Sequence, residues 1–123
     1  MPTTGFTIGH GTAPFSQVAG ILAAQGVATI VDVRSQPNSR HAPEFKRAEL
    51  EALAAASGFG YRWMGDALGG RPADPALQTA EGSPDWEALR RSPRFAAALT
   101  DLLALAAGAP VALLCAEESP EHC

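Results

Sequence analysis

Residues 27–33 read Val-Ala-Thr-Ile-Val-Asp-Val, and this run constrains the fold more than any other stretch of the chain. It is apolar and largely β-branched, with little of the period-two alternation that a strand with one wet face would show. A strand without alternation is buried on both faces. Such burial requires helices on either side of a sheet, which is the parallel α/β arrangement.

The flanking sequence supplies the other elements. Phe6-Thr7-Ile8 is short and β-favouring and ends in Gly9-His10-Gly11, so it predicts a first strand and a tight turn. Thr12 is placed to cap the next helix, with Pro14 in its first turn where a missing N–H costs little. Phe15, Val18, Ile21 and Leu22 recur at helical spacing, and Gly26 supplies the stop. A polar loop over 34–43 follows the buried strand. Residues 44–57, with Phe45, Ala48, Leu50, Leu53 and Ala54, predict a second helix ending at Gly58. Gly60 to Met64 alternates as a shorter strand. The stretch 65–84 is rich in Gly, Pro, Ala and Asp and predicts a long surface loop, a feature usually functional in a compact domain. Residues 85–91 suggest a helical turn. Ser92-Pro93 opens a third long helix with Phe95, Leu99, Leu102, Leu103 and Ala106 on one face, and 111–114 is the last strand.

This order predicts a three-layer α/β fold: a mainly parallel sheet of about four strands, flanked by helices and joined by right-handed crossovers. A length of 123 residues predicts one domain over 1–123. Such a chain buries roughly 65% of its unfolded surface, enough for a core without staples. Its two cysteines make no disulfide framework. Met1-Pro2-Thr3-Thr4 lacks the basic start of a signal peptide, and no apolar run is long enough to span a bilayer, so the expectation is a cytoplasmic chain with no membrane partner. A formal net charge of -4 argues against a general nucleic-acid binder.

Ligands of open α/β sheets bind outside the carboxyl ends of the strands. If the strands are parallel, His10, Asp32, Arg34, Cys115 and Glu117 share one rim, and the loop carrying Gly69, Gly70 and Arg71 leaves the third strand on the same side. Each residue has a plainer reading. Cys115 is either a reactive thiol, its thiolate favoured by Arg34 or His10, or a small buried hydrophobe. His10 either moves protons or hydrogen-bonds a carbonyl. Asp32 follows two apolar residues and is expected to bond loop amides or pair with Arg34 or Arg40. Arg34 and Arg40 either grip an anion or form a solvated surface. Trp63 and Phe45 read as core. A metal site built from Cys115, His122, Cys123 and His10 matches no ribbon or finger spacing. Dinucleotide, Walker and nucleophile-elbow motifs are absent, and no cofactor is expected.

The motifs carry one resemblance. Thr7-Ile8-Gly9-His10-Gly11, Val31 to Arg40 (Val-Asp-Val-Arg-Ser-Gln-Pro-Asn-Ser-Arg), Phe45, Leu68-Gly69-Gly70, and Leu113 to Glu117 with Pro120 and His122-Cys123 resemble the bacterial domain of unknown function 488. The match runs through nearly the whole chain in the family's order. Gly11 stands where the family usually has serine. Cys123 fits the cysteine of a Cys-His-Arg motif whose other two residues are not here. The resemblance therefore implies a domain lacking its final helix and strand, with an uncovered sheet edge through which a homodimer could form. A looser similarity to rhodanese-like domains rests on layout alone, and Glu117-Glu118 after Cys115 would repel an anionic persulfide.

Three functions compete. In a thiol enzyme acting on an anionic small molecule, Cys115 is the nucleophile, His10 and Asp32 assist, Arg34 and Arg40 bind the anion, and Cys123 resolves a disulfide. In a binding module, His10, Arg34, Arg40, Gly69, Gly70 and Arg71 hold a phosphate-bearing ligand or a nucleic-acid end. In a metal-dependent hydrolase, Cys115, Cys123, His10 and Glu117 are the ligands.

Overall fold

The computed structural model describes residues 5–11, 13–34, 37, 43–68, 76, 78–81 and 85–115. Four strands, β1 (Gly5–Gly9), β2 (Thr29–Asp32), β3 (Gly60–Trp63) and β4 (Val111–Cys115), form one sheet in the order β1-β4-β2-β3. The pairings of β1 with β4, β4 with β2 and β2 with β3 are all parallel. Residues 30–32 of β2 are all buried, as the unalternated run demands. β4 shares this character and lies between β1 and β2.

Helices cover both faces. α1 (Phe15–Ala24) and α2 (Arg47–Ala56) lie on one, where Phe15, Val18, Leu22, Leu50 and Ala54 pack with Ile30, Ala112 and Leu114. α5 (Pro93–Gly108) lies on the other, where Leu102, Leu105 and Ala106 meet Val31, Val111 and Leu113. The crossovers through α1 and α2 run from β1 towards β3, and the return from β3 to β4 takes the opposite face, as right-handed connections require.

Both short-range stops are Schellman motifs. The amide of Val27 donates to the carbonyl of Leu22, and that of Phe59 to Ala54, closing α1 and α2 through Gly26 (φ 72°) and Gly58 (φ 85°). Only glycine takes that left-handed turn without strain.

The differences from expectation lie at starts and faces. α1 begins at Phe15 with Pro14 as its cap residue, and its first amide donates to Glu44 Oε2 at 2.7 Å, a partner far away in sequence. Thr12 lies outside the described residues. The segment 44–57 divides into a 3₁₀ turn, Pro43–Phe45, and α2, with Ala48 exposed. The 65–84 stretch opens with one helical turn, α3 (Gly65–Leu68), and α4 (Trp86–Arg91) is capped by the Asp85 carboxylate, which accepts from the Ala88 amide. Ile21, Leu99 and Leu103 are exposed, because leucine and alanine fill so much of these helices that the pattern alone does not choose the buried stripe. Among the described residues no helix is long and apolar enough to cross a membrane.

Candidate functional site

With all strands parallel, their carboxyl ends form one rim, and period two then decides which face each residue takes. Phe6 and Ile8 pack on the α1/α2 face, so His10 continues that series. Ile30, Asp32 and Arg34 form a second such series, and Tyr61 belongs to a third. The chain leaves β2 for this face and leaves β3 for the other.

Asp32 and Arg34 are buried there together, with 0% and 7% of their surface exposed. The guanidinium grips the carboxylate by its side edge: Arg34 Nε donates to Oδ1 and Nη2 to Oδ2, each at 2.7 Å. The Arg34 amide donates to Oδ1 at 3.2 Å, and the Tyr61 hydroxyl donates to Oδ2 at 2.6 Å. Each carboxylate oxygen thus takes two donors, which offsets the cost of holding the ion pair away from water. Burial first, and then this bond to Asp32, push the Tyr61 phenol well above its ordinary value.

His10 is 3% exposed and stacks on Phe45, ring centroids 4.3 Å apart and planes 11° from parallel. Its neighbours fix its tautomer. Nδ1 lies 2.9 Å from the Gly11 carbonyl, which can only accept, so Nδ1 carries the proton. Nε2 lies 3.4 Å from Arg34 Nη1, which can only donate, so Nε2 offers its lone pair. Gly11 (φ 50°) turns the chain back, and the Ala13 amide closes that turn on the His10 carbonyl.

The backbone of Arg34 is fixed as firmly as its side chain. Its carbonyl accepts from Trp63 Nε1 at 2.8 Å, and Arg47 lies over the Trp63 ring at 4.6 Å. Gly65 packs so closely here that a Cβ would run into the Arg34 carbonyl.

A guanidinium has five N–H donors. Asp32 takes two and His10 one; among the described residues the other two, one on each terminal nitrogen, meet no acceptor. A clamped cation with donors to spare at the rim is suited to holding an oxyanion.

His10, Asp32 and Arg34 therefore come together. Cys115 reaches the same rim, and its carbonyl accepts the His10 amide at 3.0 Å. Its side chain, however, falls in step with Val111 and Leu113, which pack on the α5 face, so alternation turns the sulfur away from His10 and Arg34. That sulfur is also in a disulfide. Asp32, expected to assist catalysis, has both oxygens occupied and positions Arg34. Arg40, Gly69, Gly70, Arg71, Glu117, His122 and Cys123 lie outside the described residues. Among the described residues no three His, Cys, Asp or Glu side chains could hold a metal ion.

Tyr61, Trp63, Phe45, Glu44 and Gly65 take part in this arrangement beyond the expected set. The alternation of β3 already put Tyr61 and Trp63 on one face. What was missing was the register, Ile30 with Tyr61 and Asp32 with Trp63, which brings the phenol diagonally onto Asp32.

A family model described as Domain of unknown function DUF488 matches residues 14–123. No curated protein and no solved structure matches the chain.

Proposed function

Since the chain belongs to the DUF488 family, whose description assigns no activity, function must be argued from its residues, and we propose that it binds a phosphate-bearing small molecule through Arg34 at the carboxyl rim of the sheet. One observation carries this reading: Arg34 is buried, gripped along one edge by Asp32, and keeps two N–H groups without an acceptor among the described residues. Holding an arginine in one orientation removes the ordering cost that an exposed one incurs on binding. The position at the carboxyl rim of a parallel sheet supports the same reading. Cys115 is left out as nucleophile, because its sulfur is bonded and alternation directs it to the other face.

The test is calorimetric titration with inorganic phosphate, with the Arg34 guanidinium signals followed by NMR. Saturable binding that weakens with added salt and shifts the Arg34 Nη resonances is expected. R34K should weaken it at least tenfold, since an ammonium cannot hold Asp32 and an anion on two edges at once. Phosphate that leaves the Arg34 signals of the wild-type protein unmoved would overturn the reading.

A further inference from the structure

A second cation stands beside Arg34. Arg47, the first residue of α2, is exposed, and its guanidinium lies 4.6 Å from the centre of the Trp63 ring. Among the described residues that guanidinium meets no carboxylate, and its five N–H donors meet no acceptor. Two tethers hold it next to Arg34. The Arg47 amide donates to the carbonyl of Pro37, in the segment that follows Arg34, at 2.8 Å. The Trp63 indole, over which the guanidinium lies, donates to the Arg34 carbonyl, also at 2.8 Å.

The Arg34 side chain stays close to its own backbone, because its amide and its Nε both donate to Asp32 Oδ1. Its Nη2 end lies on the β3 side, since Asp32 Oδ2 takes both Nη2 and the Tyr61 hydroxyl. Tyr61 and Trp63 follow one another along one face of β3. A row therefore runs from Arg34 Nη2 past Tyr61 to Trp63 and Arg47. The Tyr61 phenol senses both ends of it: burial and then Asp32 raise its pKa, and the positive charges of Arg34 and Arg47 both oppose that rise. The indole and the Arg34 carbonyl lie between the two guanidinia, so Arg47 serves a group next to the one on Arg34 and not the same one. A cation over a ring is held more weakly than one bonded to an oxyanion, so Arg47 is available to a ligand.

Resting on the anion-binding reading above, we infer that Arg47 is a second ligand-binding residue and that the ligand carries a diphosphate group, with one phosphoryl on Arg34 and the next on Arg47. Both arginines bind and orient the ligand; no covalent bond forms or breaks.

Pyrophosphate and inorganic phosphate, titrated against the whole chain at the same salt concentration, test this. The wild-type protein should prefer pyrophosphate, and R47Q should cut that preference about tenfold, the worth of one charge-assisted hydrogen bond. R62Q removes an exposed arginine on the opposite face of β3 and should keep the preference, which separates contact from general charge. In the wild-type protein, pyrophosphate should shift the Arg47 guanidinium and Trp63 indole NMR signals much further than phosphate does, a reading that needs no variant to fold. An R47Q protein with the wild-type preference, or Arg47 signals that move equally with both anions, would overturn this inference and leave the Arg34 site standing. Arg34 signals unmoved by either anion would overturn both.

Discussion

Tyr61 is the chain's one tyrosine, so its phenol can be followed by ultraviolet absorbance without interference. Its folded value is raised, chiefly by burial and next by the bond to Asp32, above the ordinary 10.0. Below pH 10 the proton stays on in both folded and unfolded chains, and stability does not depend on it. Above pH 10 the unfolded chain loses it first, so stability falls as pH rises. The native protein should therefore show no phenolate near pH 10, and the phenolate band should appear together with loss of the circular-dichroism signal. A simple titration at pH 10 with the fold intact would contradict the placement of that hydroxyl. Asp32→Asn tests the other partner. It removes the countercharge of a buried guanidinium and should cost about 3–5 kcal/mol in urea denaturation. Part of this was legible beforehand: an aspartate after two apolar residues pointed to loop amides, Arg34 or Arg40 as its partners, and the fold pairs it with Arg34. The aromatic partners were not, because Phe45 reaches His10 and Trp63 reaches the Arg34 carbonyl only through tertiary packing.

The helices show the same division between local and distant causes. Gly26 and Gly58 marked two helix ends, since a left-handed residue after a helix is a local requirement. The start of α1 was not legible, because its cap comes from Glu44 on the other side of β2. Phe15 to Glu44 is a bond between the first crossover and the entry to the second, and it draws the 3₁₀ turn with Phe45 towards the His10 loop. E44A should destabilise the protein by about 1 kcal/mol, the usual worth of a helix cap, measured as a shift in the urea midpoint. Because Phe45 follows directly, the same change should broaden or shift the His10 ring signals; unchanged signals would separate the cap from the stack. The stripe of α5 was misjudged for a different reason. A helix rich in leucine and alanine fits a sheet in several rotations, and packing on Val31, Val111 and Leu113 selects the one through Leu102, Leu105 and Ala106.

The parallel sheet and its two layers of helices followed from the buried run at 27–33 and the βα alternation. The position of the last strand did not, since nothing local tells β4 to enter between β1 and β2. This order has a measurable consequence. β4 and β2 are hydrogen-bonded along both sides, whereas β1 and β3 have one neighbour each among the described strands. Amides of Ile30, Val31, Ala112 and Leu113 should exchange with deuterium only on global unfolding, and those of β1 earlier. Equal protection across all four strands would be inconsistent with β1 as an edge.

A ribosome releases His10 and Arg34 long before residue 115. Until that late segment emerges, β1 has no neighbour to pair with in this order, and the His10 amide lacks the Cys115 carbonyl that accepts it. The arrangement of His10 beside Arg34 is therefore complete only once 111–115 has been made. A nascent chain stalled before that point would expose the apolar residues of β1, the kind of surface on which molecular chaperones act.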